Sequence, residues 1–274
     1  MTKSSHLRVA PTAYSVARSR ALSDIPFAKE IAQWMGKELG DEERIVYDAY
    51  EPKQVVTLEA RYKLIDKLIL QHNPTQVLEL ACGLLPRGYL FSKQGITYVE
   101  TDLKDMVLLK QKMYRAVFPA LPKNLFLEEA NALSKRDLSR VAKHFDKKKS
   151  LIIMHEGLLR YLNFKEKTLV AKNIHSLLEE FGGVWITSDI TLKKMLPAKT
   201  LKKIKERIGM DVSQNAFSNI REAQTFFENL GFEIKVHCRT EIQSELSTPK
   251  LLHLNKQEVK RMLEYYVVEM SVKH

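Results

Sequence analysis

Apolar side chains at Val55, Leu58, Tyr62, Ile65 and Ile69 fall at i, i+3, i+7, i+10 and i+14, which predicts one helix with a continuous buried stripe. Asn73-Pro74 ends it, because the residue before a proline is pushed out of helical geometry. Upstream, residues 12–35 read as helical, with an amphipathic stretch from Phe27 to Met35. Beyond Pro74 the texture changes to short apolar runs. TQVLELAC, GITYVETD, LIIMH, VWITSDI, FEIKVHC and YYVVEMSV predict six strands, and Asn124–Ala130 one short strand more. Helical patterns separate most of them. Met106, Lys110, Met113 and Val117 share one face, and Lys165 to Phe181 ends at Gly182-Gly183, a good helix stop. Asn219 with Glu222, and Asn255 with Glu258, have the spacing of capping boxes. This alternation predicts an α/β fold: a mostly parallel, seven-stranded sheet with helices on both faces, the last two strands including an antiparallel pair.

Neither a repeat nor a Gly/Ser-rich linker divides the 274 residues, so a single domain is expected. Within it, 1–72 form an N-terminal helical cap, 73–190 the core, 191–218 a lid insertion and 219–274 the rest of the sheet. Two cysteines, Cys82 and Cys238, exclude a disulfide framework and a four-cysteine zinc site, and no metal site is expected. The first sixteen residues lack an apolar stretch of secretory length, and no apolar run reaches 18 residues. A soluble, cytoplasmic protein is expected.

Charge changes the picture less than its size suggests. Forty-four Lys and Arg against 33 Asp and Glu leave +11. Seven of the fifteen residues in Lys193–Arg207 are basic, and seven more lie in Lys135–Lys149. In the first cluster Leu201, Ile204 and Ile208 keep helical spacing, so the lysines form the wet side of an amphipathic cap helix introduced by Pro197. Such a face can also attract an anionic acceptor. No nucleic-acid-binding motif accompanies it.

The chemistry concentrates where the first strand ends. Glu79 leads into Ala81, Cys82 and Gly83, small residues that let a ligand approach the backbone at the crevice of an α/β sheet. Glu100 and Asp102 end the second strand about 20 residues on, where an acid can bind ribose hydroxyls. A plain strand-end turn with two surface acids is the alternative. The GxGxxG of a dinucleotide site is absent, with Ala81 and Leu84 or Leu85 in its place, which argues against NAD and suits a nucleoside without pyrophosphate.

Five segments resemble class I methyltransferases that use S-adenosylmethionine, and within them the leucine carboxyl methyltransferases and bacterial polyketide-type O-methyltransferases. They are Thr12 to Ala21, Glu59 to Asp66, LELACGLLPRG, Val99 to Leu103, and above all His155-Glu156-Gly-Leu-Leu-Arg-Tyr161-Leu. The resemblance implies a Rossmann-like fold and S-adenosylmethionine as cofactor, leaving S-adenosylhomocysteine as product. By the same resemblance Arg61 binds the methionine carboxylate, and Ala81 and Gly83 lie beneath the methionine part. Asp102, with Glu100 as second choice, holds the ribose, and Asn131-Ala132 face the adenine. Glu79 belongs to the same cofactor motif, while Glu156 and Tyr161 mark the reactive centre. Two departures stand out. Leu84-Leu85-Pro86-Arg87 replaces the usual Gly-x-Asp-Thr-Arg, and Asn131 replaces an aspartate.

The implied activity is O-methylation of a small-molecule or peptide carboxylate or hydroxyl. For a hydroxyl, Glu156 or His155 would be the candidate base; His155 alone reads as an ordinary near-core histidine. Two other readings stay open. One is a non-catalytic scaffold binding a nucleoside or an acidic partner. The other is a nucleic-acid methyltransferase, against which the missing Asn/Asp-Pro-Pro-Tyr/Phe motif argues. Neither the acceptor nor the oligomeric state is written in the sequence.

Overall fold

The computed structural model describes residues 10–38, 51–196, 201, 202, 205 and 211–273. Seven strands form one sheet: β1 Gln76–Leu80, β2 Thr97–Asp102, β3 Leu125–Glu129, β4 Leu151–His155, β5 Gly183–Thr187, β6 Phe232–Cys238 and β7 Tyr266–Val272. Their order is β3-β2-β1-β4-β5-β7-β6. The pairings β1–β2, β1–β4, β2–β3 and β4–β5 are parallel, whereas β7 runs antiparallel to both β5 and β6. The reversed strand is therefore β7, inserted next to the edge, and β6 runs in the direction of β1–β5. Val77, Leu78 and Leu80 are wholly buried, as befits a strand covered on both faces.

The helices are α1 Ala10–Arg20, α2 Ala28–Glu38, α3 Pro52–Gln71, α4 Arg87–Ser92, α5 Lys104–Val117, α6 Lys135–Val141, α7 Phe164–Phe181, α8 Ile220–Glu228, α9 Thr248–Leu251 and α10 Lys256–Met262. On one sheet face α3 and α10 bury Ile65, Leu68, Ile69, Val259 and Leu263 against Ile152, Met154 and Ile186. On the other, α6, α7 and α8 bury Leu138, Ile174 and Phe227 around Trp185. The helices α1 and α2 pack on α5 through Ala17, Ile31, Met35 and Met113. The helix expected across residues 12–35 is broken at residues 21–27, where Pro26 cannot donate the amide a continuing helix needs.

Local chemistry sets the ends. Asn163 and Asn255 make full capping boxes with Glu166 and Glu258. Asn219 caps Glu222 N, but the Glu222 carboxylate turns to Ser218 N instead. Gly183 is held at φ 105°, and a Cβ there would lie 2.1 Å from the Leu151 carbonyl oxygen, so the α7–β5 junction requires glycine. Asn163→Ala is expected to lower unfolding free energy by about 1 kcal/mol in urea denaturation, the usual effect of losing an N-cap.

Most of the expected cap helix in Lys193–Arg207, including Pro197 and Ile204, lies outside the described residues, as does Ile208. Lys193–Met195 is a 3-10 turn, and Leu201 packs partly buried on Leu196, Val212 and Ala216. Among the described residues no helix is long and apolar enough to cross a membrane.

Candidate active site

The carboxyl ends of the parallel neighbours β2, β1 and β4 lie side by side, and the turn after β1 has the backbone of a ligand cradle. Ala81 and Gly83 both take positive φ, 51° and 52°. No atom outside the chain neighbours lies within 4 Å of where a Gly83 Cβ would stand, so the glycine is needed for its conformation and leaves open space above it. Asp102 Oδ2 accepts a hydrogen bond from Gly83 N at 2.9 Å, and Oδ1 one from Leu103 N at 2.8 Å. The acid is therefore fixed across the mouth of the turn with lone pairs to spare. Burial raises its pKa from the ordinary value, which the two backbone amides partly offset. Cys82 is buried, and that burial pushes its thiol well up. Packing, not nucleophilic chemistry, explains it.

Glu100 does not share this position. Its carboxylate is fully buried, with Oε1 accepting from Lys110 Nζ at 2.8 Å and Oε2 from Tyr114 OH at 2.5 Å. It anchors α5 to the sheet, which explains a lysine on the apolar face of that helix, and it is not the ribose acid. Glu79 also turns inward, accepting from Arg87 Nη1 at 3.2 Å and Tyr98 OH at 2.9 Å. Burial raises it to about 7 against the pull of Arg87. Its link to the site runs through Arg87 rather than through a ligand.

Glu156, the first residue past β4, is the hub. Its Oε2 lies 2.9 Å from Arg20 Nη2 and 2.6 Å from Arg61 Nε, and its Oε1 3.2 Å from Arg87 Nη1. The Arg61 contact is an ion pair off the hydrogen-bond direction, so the Nε proton is left without an acceptor. Burial alone would raise the Glu156 pKa, but Arg20, Arg61 and Arg87 overcome it and hold the group at about 2. Both oxygens of Glu156 are thus committed to arginines, an arrangement that favours holding those cations over taking up a proton. Arg87 completes the network, with Nε 2.5 Å from Asp66 Oδ1 and its guanidinium 4.3 Å from the Tyr62 ring centroid.

The loop after Glu156 is pinned from β5. Asp189 accepts from Gly157 N at 2.7 Å, Leu158 N at 2.5 Å and Leu159 N at 3.0 Å, and lies 3.1 Å from His155 Nδ1. The fully buried His155 also faces Thr187 Oγ1 at 3.1 Å, and its Nε2 has no partner. Tyr161 does not join Glu156; it packs on the Leu196–Val212–Ala216 cluster. Asn131 and Ala132 follow β3. Asn131 Oδ1 accepts from Leu133 N, and Asn131 lines a cavity of about 320 Å³ with Leu103, Glu128, Glu129, Ala130, Asp137 and Arg140. The Ala132 carbonyl accepts from Asn173 Nδ2 at 3.0 Å.

The structure gathers Arg61 and Glu156 with Arg20 and Arg87, and Gly83 with Asp102; Arg20, Arg87, Asp66 and Asp189 were not singled out as site residues in the sequence. Only Arg87 carried a local signal, directly after the turn.

The strand order, the single reversed strand and the cradle between β1 and β2 define a class I methyltransferase fold. Solved structures agree along nearly the whole chain. A DUF574-family protein from Streptomyces avermitilis superposes with TM-score 0.59 at 12% identity, over 95% of this chain and 97% of that one. A candidate methyltransferase from Thermobifida fusca gives 0.58 at 16%, over 94% of each chain. Magnesium protoporphyrin IX methyltransferase from Synechocystis, crystallised with S-adenosylhomocysteine, gives 0.51 at 13%, over 90% and 100%. Likeness at such identity establishes the fold. No protein-family model and no curated protein sequence matches the chain, so the leucine carboxyl methyltransferase resemblance rests on its five motifs.

Proposed function

We propose that this protein is an S-adenosylmethionine-dependent methyltransferase that methylates an oxygen of a carboxylate or hydroxyl acceptor. The observation that carries the reading is the cradle itself: positive φ at Ala81 and Gly83, open space above Gly83, and Asp102 locked across its mouth. A nucleoside fits these groups. Asp102 would take the ribose hydroxyls, Gly83 and Ala81 would let the methionine part lie against the backbone, and Arg61 would meet its carboxylate. S-adenosylmethionine supplies a methyl group already activated by the sulfonium charge. The residues of the chain then have to bind, align and exclude water rather than generate a strong nucleophile. Glu156 serves by holding Arg20, Arg61 and Arg87 in place. A carboxylate acceptor needs no base; for a hydroxyl, His155 with Asp189 behind it is the remaining candidate.

Calorimetry with S-adenosylhomocysteine tests the reading directly. Wild-type protein is expected to bind it, and ligand at about 100 times its Kd should stabilise the fold by about 2.7 kcal/mol. Arg61→Ala is expected to weaken binding roughly 10- to 150-fold, the value of a charged hydrogen bond, while the protein stays folded on Arg20 and Arg87. The absence of both binding heat and thermal stabilisation at millimolar ligand would exclude the cofactor.

A further inference from the structure

Arg239 immediately follows β6, so it stands at the same carboxyl edge of the sheet as the turn after β1 and Glu156. It is only 6% exposed. Its backbone N donates to Tyr265 O at 3.0 Å, and its Nη1 donates to Thr57 O at 3.1 Å. Thr57 lies one helical turn before Arg61 on α3. The guanidinium carbon sits 5.3 Å from the Tyr265 ring centroid, and Nε has no hydrogen-bond partner. Among the described residues no carboxylate lies within 4 Å of Arg239. Burial, then the neighbouring Arg61 charge, pull its pKa down to about 9.

The arginines at this edge of the sheet are not equally paired. Arg87 is matched by Asp66 and Glu79. Arg20 and Arg61 both pair with Glu156, so of the four arginines only Arg239 has no carboxylate within 4 Å among the described residues, although Asp66, Glu79, Glu156 and Asp189 equal the four cations in number. The next carboxylate, Asp189, is occupied by three backbone amides and His155. The methionine carboxylate of the proposed cofactor is assigned to Arg61, so it does not supply Arg239 with a partner. A buried cation without a counterion is costly, and a neutral side chain could serve Thr57 and Tyr265 as well.

We infer that Arg239 recognises an anionic group on the methyl acceptor, and that the acceptor is a carboxylate-bearing molecule. The inference rests on the methyltransferase reading for the word acceptor, but the anion site is testable without it.

The probes are benzoate and benzamide, alike in shape and different in charge, titrated into the full-length protein with and without saturating S-adenosylhomocysteine. Benzoate is expected to raise Tm and give binding heat where benzamide does not. Arg239→Met should weaken benzoate at least tenfold, Arg239→Lys should restore part of the loss, and S-adenosylhomocysteine affinity should stay within twofold in both. Ligand-free Arg239→Met should melt no lower than wild type. Arg239→Gln, which keeps a donor for Thr57 O, gives the same comparison if the methionine variant does not fold. Equal responses to benzoate and benzamide in wild type, or a benzoate response that survives in Arg239→Gln, overturn the inference. Wild type that responds to benzoate but never binds S-adenosylhomocysteine overturns the methyltransferase reading and leaves the anion site standing.

Discussion

Glu156→Ala is expected to cost about 3–5 kcal/mol of folding stability, the range found when one partner of a buried ion pair is removed. Arg20, Arg61 and Arg87 converge on this one carboxylate, and Arg20 has no other among the described residues. Removing it would leave desolvated guanidinium groups repelling one another. Urea denaturation with an unchanged m-value checks the size of the effect. Glu156→Gln should fall between, because the amide keeps an acceptor oxygen for Arg20 but loses the charge. The pH dependence has a definite sign. The folded pKa, about 2, lies below the ordinary 4.5, so this stability is complete above about pH 4.5 and is lost as pH falls toward 2. An alanine variant as stable as wild type at pH 7 would mean that the arginines find water or other partners, and the hub account would be wrong.

How much of this was legible beforehand depends on whether the signal was local. The stripe from Val55 to Ile69 gave α3 because each of its residues is buried in the structure by the helical period alone. The strand at LIIMH and the turn at Ala81–Gly83 were equally visible, since apolar runs and small residues mark them without reference to the rest of the chain. The place of β7 between β5 and β6 was not. An antiparallel pair can be guessed from two neighbouring runs, but which strand lies outermost is decided by packing against β5, far away in sequence. The break at residues 21–27 was missed because the amphipathic pattern on either side outweighed one proline.

The site divides along the same line. Asp102 and Gly83 were readable because strand, turn and strand fix their proximity, now seen as one hydrogen bond of 2.9 Å. Glu100 looked equivalent two residues earlier. Alternation along a strand puts residues i and i+2 on one face, but Asp102 ends β2 while Glu100 lies inside it under α5. Depth, which the pattern does not record, made one a mouth acid and the other an anchor. Arg20 reaches Glu156 across 136 positions and Arg239 lies on the last third of the chain. Nothing near either in sequence announces a carboxylate or the lack of one, so their roles emerge only when four arginines are seen in one place.

Asp189 carries the second large effect expected. Asp189→Ala should cost about 3–5 kcal/mol, because Gly157, Leu158 and Leu159 would lose the acceptor of three consecutive amides, and each buried donor left without a partner costs about 1–3 kcal/mol. Partial relaxation toward water keeps the sum below the largest total. Asp189→Asn retains one acceptor oxygen and should cost less. Burial would raise the Asp189 pKa, but the His155 hydrogen bond, Arg61 and the Gly157 amide together hold it well below the usual carboxylate range. Its stabilising contribution is therefore complete above about pH 4, the ordinary aspartate value, and fades as pH falls below it. The difference between wild type and Asp189→Asn in urea should accordingly be smaller at pH 3 than at pH 7. An equal difference at both would show that the loop needs an oxygen there but not a charge. Because the loop begins at the residue after Glu156, Asp189→Asn should also weaken S-adenosylhomocysteine binding at pH 7, by letting Glu156 and the arginines it gathers drift from the cradle.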